Sequence, residues 1–160
     1  MEILDAAEVI ETLGLPYLRE LSTFGALSDD VITDMLTNGV IKRFEKGEYV
    51  ARLDQIASEF KVVLRGKFAF YKHGEDCDVL TRYFCQGEQM DFDLMIGLIP
   101  HNGIDVATEE SMVLDIGSDQ FYNLHVNFPA DFGLLMINLS RELAREIAML
   151  EDVIGEGTGR

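Results

Sequence analysis

From residue 40 to residue 116 the chain breaks into short alternating apolar and polar runs, and this pattern constrains the fold more than any other feature. The runs are 40–44, 48–51, 60–64, 67–71 and 79–84, followed by 105–108 and 112–116. Lys46-Gly47, Arg65-Gly66, His73-Gly74 and Gln86-Gly87 separate them, and glycine supplies the backbone freedom that tight turns need. A period of two buries one face of each strand. Many short strands at this spacing predict an antiparallel sandwich or barrel.

Helical patterns flank the strands. Residues 4–14 place Leu4, Val9, Ile10 and Leu13 near one face, with Gly14 as a stop, and 17–21 form a short turn after Leu15-Pro16. Ser28 is a predicted N-cap with Asp29 and Asp30 in the first turn, where the helix dipole favours anions. Val31, Ile32, Met35 and Leu36 form the inward face of that helix, and Asn38-Gly39 ends it. Beyond the strands, Ser118 is expected to cap a short helix to residue 124, and Pro129 opens a long one. In the long helix Phe132, Met136, Leu139, Leu143, Ile147, Leu150 and Ile154 recur at steps of three or four. Arg141, Glu142, Arg145, Glu146, Glu151 and Asp152 are assigned to the opposite side, and 155–160 to a frayed tail. The expectation is one α+β structural domain: an N-terminal helical segment 1–22, a β-roll 23–127 and a C-terminal helix with its tail 128–160.

Charge narrows the function. The 160 residues carry a net charge of -16, and neither Lys nor Arg occurs between Arg82 and Arg141. Nucleic-acid binding draws most of its affinity from cations on phosphates, so direct DNA or RNA binding is not expected. Anionic membrane surfaces would repel the chain, no apolar run is long enough to span a bilayer, and no basic signal-peptide region opens it. Cys77 and Cys85 lack a pairing framework and are assigned to core packing, which points to a reducing, cytoplasmic setting. No P-loop, GxGxxG sequence or supported Ser-His-Asp or Cys-His arrangement occurs, so neither an enzyme nor a cofactor is expected.

The order and spacing of several segments resemble the cyclic nucleotide-binding domain of the catabolite-activator and protein-kinase-A regulatory type. Phe24-Gly25-Ala26-Leu27-Ser28 matches the start of its first regular helix, and Phe44-Glu45-Lys46-Gly47-Glu48-Tyr49-Val50 its first hairpin. The run from Phe60 to Tyr71 resembles the next hairpin, residues 79–88 the strand into the ligand cassette, and Val113-Leu114-Asp115-Ile116 with Phe121 the last strand and following helix. The resemblance covers roughly residues 20 to 154. It implies an antiparallel β-roll, or jelly-roll barrel, flanked by N-terminal helices and a long C-terminal helix.

The resemblance also implies a pocket in which a glycine and a glutamate open a short helix. The glutamate holds a ribose hydroxyl, helix-start N–H groups hold the phosphate, and an arginine pairs with it. Here Gly87-Glu88 falls on the first Gly-acid pair, and the ligand pair should follow four residues later, on Asp91 and Phe92. The arginine position falls at or near His101, next to Asn102. Asp91 and Asp93 are expected to place carboxylates beside the phosphate's position. Like charges ~5 Å apart at an effective dielectric of ~20 repel by roughly 3 kcal/mol. A lost charge-assisted hydrogen bond removes about another 1.5–3 kcal/mol. Ordinary cAMP or cGMP binding is therefore not expected. The alternative alignment makes Gly87-Glu88 the ligand pair, with Glu88 on the ribose.

Asp91, Asp93, His101 and Asp105 also invite a metal reading, against which they are assigned to solvated acids rimming an emptied cassette, with no metal. His73 reads as a surface turn residue and His125 as structural. Leu143, Ile147, Leu150 and Ile154 are open to two packings, against the barrel or against a partner helix as in a homodimer seam. No helix-turn-helix follows this helix, so no DNA reader is expected. Together these readings predict a non-catalytic regulatory or protein-interaction module. The alternative is a small-molecule receptor using the same cavity in an altered mode.

Overall fold

The computed structural model describes residues 1–50 and 56–158. A short strand β1 (Glu2–Leu4) precedes α1 (Ala6–Leu13), α2 (Leu15–Arg19), a 3-10 turn (Ser22–Phe24) and α3 (Asp29–Asn38). Then come β2 (Val40–Phe44), β3 (Glu59–Arg65), β4 (Lys67–His73), β5 (Asp78–Cys85), β6 (Gln89–Met90), α4 (Phe92–Gly97), β7 (Gly103–Ala107) and β8 (Ser111–Gly117). Two helices close the chain, α5 (Ser118–Asn127) and α6 (Pro129–Thr158). The strands form a five-stranded sheet in the order β1-β2-β8-β3-β6 and a three-stranded sheet β5-β4-β7, with antiparallel pairing throughout. This is the expected α+β jelly-roll with a long C-terminal helix.

Local chemistry explains the helix ends. Asp5 accepts N–H bonds from Ala7 at 2.9 Å and Glu8 at 3.2 Å, so α1 begins at Ala6 and leaves Leu4 to pair with Ile41 in β1. Residues 2–4 are thus a strand that helical periodicity concealed. Gly14 stops α1 at φ 79°, and Ser28 caps α3 by accepting from Val31 N. Gly117, not Ser118, occupies the N-cap of α5 with extended backbone and no side-chain cap, and the Ser118 N–H of the first turn donates to the Ser58 carbonyl. The expected strand 48–51 is reduced to a single bridge between Tyr49 and Val106, and Ala51 lies outside the described residues. The expected frayed tail is helical as far as Thr158, since Gly155 and Gly157 each cost only about 1 kcal/mol against alanine; residues 159–160 lie outside the described residues.

Alternation along β3, β2 and β8 divides the interior in two. Phe60, Val62 and Leu64 of β3 join Ile41, Leu114 and Ile116 in a core covered by the helices. Val63, with Phe44, Phe68, Phe84, Met90 and Val113, fills the inside of the roll. Lys42, Lys61 and Asp115 share the parity of this second set, so the register directs charged side chains into one end of the roll. Aromatic rings bind the helices to β3: Phe60 meets Phe92 of α4 at 5.4 Å and Phe121 of α5 at 5.6 Å, and Phe121 meets Phe132 of α6 at 4.9 Å. The first turn of α6 is pinned where Asp131 accepts from Ser28 N at 2.7 Å and Ser28 Oγ at 3.0 Å.

Phe60 is fully buried where α4 and α5 meet the sheet. Phe60→Ala is expected to cost about 3–5 kcal/mol in urea unfolding. Tyr49→Ala, at a 68% exposed side chain, is expected to stay within about 0.5 kcal/mol of the parent.

Candidate functional site

The cassette begins at a corner. Gly87 adopts φ 89°, and a Cβ there would sit 2.8 Å from Ser22 N, so the position requires glycine both for conformation and for space. Its N–H donates to the Val63 carbonyl, and its own carbonyl accepts from Thr23 N, Ser22 Oγ and Thr23 Oγ1 at 2.7–3.0 Å. Glu88 Oε2 accepts from Cys85 N at 2.7 Å and braces the same turn. Glu142 of α6 completes the junction: Oε2 accepts from Gln89 N at 2.8 Å and Oε1 from Ser22 Oγ at 2.7 Å. Burial raises the Glu142 pKa against the opposing hydrogen bond from Ser22.

Asp91 takes the left-handed conformation at φ 69° just ahead of α4. Its carboxylate turns into the roll and is 7% exposed. Oδ2 accepts from Lys61 Nζ at 2.9 Å, and Oδ1 lies 2.9 Å from His101 Nε2. Asp105 Oδ2 stands 3.3 Å from the same nitrogen, at ion-pair distance but without hydrogen-bond geometry, because the Nε2–H is directed at Asp91. His101 Nδ1 faces the Gly103 carbonyl at 3.2 Å. Burial acts to lower the His101 pKa, but Asp105 and Asp91 outweigh it and push it up to about 10. Burial acts to raise Asp91, yet His101 and Lys61 hold it below the usual carboxylate range. Lys61 is likewise held above its ordinary value, the charges of Asp91 and Asp115 outweighing its burial. Asp105 is raised, chiefly by burial.

The N-terminus of α4 is closed in a second way. Gln89 Oε1 accepts from Phe92 N at 3.0 Å, and the Phe92 ring packs on Phe60 and Phe121. Beside it lies an open cavity of about 440 Å³ with a largely apolar wall of Phe70, Phe84, Leu94, Ile99 and Leu150. Lys72, Arg82, Asp93, Asn102 and Glu146 add charge and polarity. Arg82 lies over the Phe84 ring, 4.0 Å from its centroid, and forms an ion pair with Glu146 of α6. Its Nε is buried without an acceptor among the described residues. Asp93 is exposed at the rim but crowded by protein, and that burial together with Glu146 raises its pKa.

Neither a protein-family model nor a curated protein sequence matches the chain. Solved structures do. A cyclic nucleotide-binding domain from Methylobacillus flagellatus superposes with a TM-score of 0.80 at 16% identity, covering 97% of this chain and 88% of that one. The Thermus thermophilus catabolite activator protein gives 0.70 at 15% identity, covering 86% of this chain, which spans 63% of that protein. The regulatory subunit of a cAMP-independent protein kinase A from Trypanosoma cruzi, bound to guanosine, gives 0.66 at 13% identity, covering 96% of this chain and 52% of that one. The chain has the cyclic nucleotide-binding domain fold.

Within this fold the structure rearranges the expected site. Asp91 and Asp105 are not solvated acids: both are buried, and Asp91 is compensated by Lys61 and His101 rather than left facing a phosphate. Phe92 belongs to the core, and Gly87-Glu88 to a corner that the alternative alignment would have given to ribose. Asp93 and Asn102 border the cavity, whereas His101 faces the roll interior from the Lys61 side. The cavity also has cations, since β4 and β5 bring in Lys72 and Arg82 from outside the cation-free stretch. Cys77 and Cys85 are exposed, not core, because Cys77 precedes β5 and Cys85 faces outward at its end. His73 is exposed and pairs with Asp78, and His125 packs edge-on against Phe132.

In α6, Leu143 is half-buried against the main core, while Ile147, Leu150 and Ile154 are exposed. Glu142 and Glu146, assigned to the outer side, instead face the roll. Sequence reasoning missed Lys61, Gln89, Arg82 and Glu142. A usable pointer existed for Glu142, three residues after Leu139 and seven after Leu135 on the buried face.

The His101 charge makes stability depend on pH. The folded value near 10 lies above the ordinary 6.5, so the contribution is complete below about pH 6.5 and is lost as pH rises through about 10. Urea unfolding in EDTA buffers from pH 6 to pH 10 is expected to show a falling midpoint, and His101→Gln is expected to flatten the slope.

Proposed function

We propose that this chain is a non-catalytic regulatory or protein-interaction module on a cyclic nucleotide-binding fold that has lost ordinary cAMP and cGMP binding. One observation carries this reading: the residue in the place of the ribose-binding glutamate, Phe92, is 2% exposed in the core, and the N–H that opens α4 is already bonded to Gln89. A phosphate there would have to displace a satisfied internal cap and lie near the Asp91 carboxylate, with no guanidinium at position 101. Calorimetry with cAMP and with cGMP is expected to show no binding tighter than roughly millimolar at neutral pH. A micromolar constant for either nucleotide would overturn the reading.

The cavity favours a second reading, a receptor with an altered ligand. Its apolar walls and the unpaired Arg82 Nε suit an amphipathic molecule that does not need the helix-terminal phosphate seat. The Trypanosoma relative bound to guanosine, a nucleoside without a phosphate, supports this reading. Adding guanosine in the same calorimetry separates the two: binding that Arg82→Ala removes favours the receptor, and silence favours the module.

The partner surface we assign to the outer half of α6, as a homodimer seam. Ile147 and Val153 are 58% and 61% exposed, and Leu150 is 42% exposed, which is much apolar area for one helix to leave in water. A two-fold pairing of this strip is the simplest closed solution. The net charge of -16 disfavours direct nucleic-acid contact, and among the described residues no helix is long and apolar enough to cross a membrane. The exposed, unpaired thiols suit a reducing, cytoplasmic setting. Light scattering is expected to show a dimer at tens of micromolar for the parent and a folded monomer for Ile147→Glu with Leu150→Glu. A monomeric parent would exclude this seam.

A further inference from the structure

Asp91, His101 and Asp105 come from three separate places in the chain, the turn before α4, the loop before β7 and β7 itself, and their ligating atoms lie within 4.8 Å of one another. All three residues are buried, at 7%, 5% and 1% exposure. His101 Nδ1 is committed to the Gly103 carbonyl, which fixes the ring and turns Nε2 toward the two carboxylates. Such a carbonyl partner is what orients a metal-binding imidazole. In that tautomer a neutral ring points its Nε2 lone pair at two anionic oxygens, an arrangement that is stable only with a cation at or beside Nε2.

Asp105 supplies an independent sign. Its carboxylate is aimed into the cluster, yet neither oxygen has a hydrogen-bond donor among the described residues. Buried carboxylates are ordinarily paired or bound to a metal. Bonds of about 2.0–2.2 Å to nitrogen and oxygen place neighbouring donors roughly 3–3.5 Å apart. The observed separations from Nε2 are 2.9 Å to Asp91 Oδ1 and 3.3 Å to Asp105 Oδ2. Lys61 occupies the other Asp91 oxygen, so Oδ1 is the one that faces His101 Nε2 and the shared point, and Lys61 offsets one of the two carboxylate charges.

We propose that Asp91, His101 and Asp105 bind a divalent first-row transition-metal ion, oriented by the Gly103 carbonyl and by Lys61. One imidazole with two carboxylates suits zinc, iron or manganese better than calcium or magnesium, which prefer all-oxygen shells. Three protein donors leave coordination positions for water or a ligand. Asp91 borders both the 440 Å³ cavity and the opening on the Lys61 side, so ion and water have a route in. Metal and proton compete for Nε2, so affinity rises with pH.

The test uses the tag-free chain and a surface variant in which exposed His73, Cys77 and Cys85 are replaced by Ala, Ser and Ser. Both are titrated with Zn²⁺ by calorimetry at pH 7 and pH 8.5. One ion per chain at micromolar or tighter affinity is expected in both proteins, tighter at the higher pH. Asp105→Asn, near-isosteric and confirmed folded by circular dichroism, is expected to weaken binding by more than the roughly 10–100-fold that loss of an outer partner costs. Paramagnetic broadening by Mn²⁺ in the unaltered chain supplies a second readout that needs no core substitution. Loss of the amide signals of Phe92 and residues 101–105 supports the site. No zinc binding by the surface variant, an unchanged affinity in folded Asp105→Asn, or Mn²⁺ broadening confined to other acidic residues overturns it.

Discussion

A carboxylate taken out of water must be neutralised, and much of this molecule is arranged around that requirement at Asp91. Lys61 reaches it from β3 and His101 from the loop before β7, each at 2.9 Å. Breaking such a pair by removing one partner typically costs about 3–5 kcal/mol, because the survivor is left charged and desolvated. The cluster therefore ties the start of α4 and the loop before β7 to β3, whose facing is set by its register with β8 and β6. The left-handed backbone at Asp91 is the local strain that this arrangement holds in place.

Once Asp91 is turned inward, the next residue follows. Phe92 enters the helical core against Phe60 and Phe121, and its N–H is capped by Gln89, whose own backbone is held by Glu142. The start of α4 is thus closed by the chain's own side chains, while the adjoining cavity stays open. These outcomes are compatible because α4 turns Phe92 into the core while Asp93 and Leu94 border the cavity, whose other walls come from β4, β5, the loop after α4 and α6.

The long helix joins the two regions. Its first half is ordinary core, with Leu135 and Leu139 fully buried. Glu142 then ties it to the cassette corner, and Glu146 to Arg82 on the cavity wall. The corner, the backbone of the residue that caps α4 and the Arg82 ion pair therefore all rest on the same stretch of α6.

The sequence by itself determined the class of fold. Period-two runs between glycine turns, the capped α3 and the apolar steps of α6 depend on local backbone chemistry and face-by-face burial, and both can be read along the chain. The resemblance pointed to positions 91, 92 and 101 as the place to look, and all three lie at or beside the buried cluster. It mistook the destinations of the acids. Whether Asp91 and Asp105 are solvated rim charges or buried ones depends on Lys61, thirty residues before Asp91 and on another strand, and only strand register brings it there. Glu142 was misplaced for the same reason: a charge's environment is set by elements distant in the chain. Tertiary structure alone decided which charges are paired, because Coulomb energy depends on separation in space and on the local dielectric, and neither is written in residue spacing.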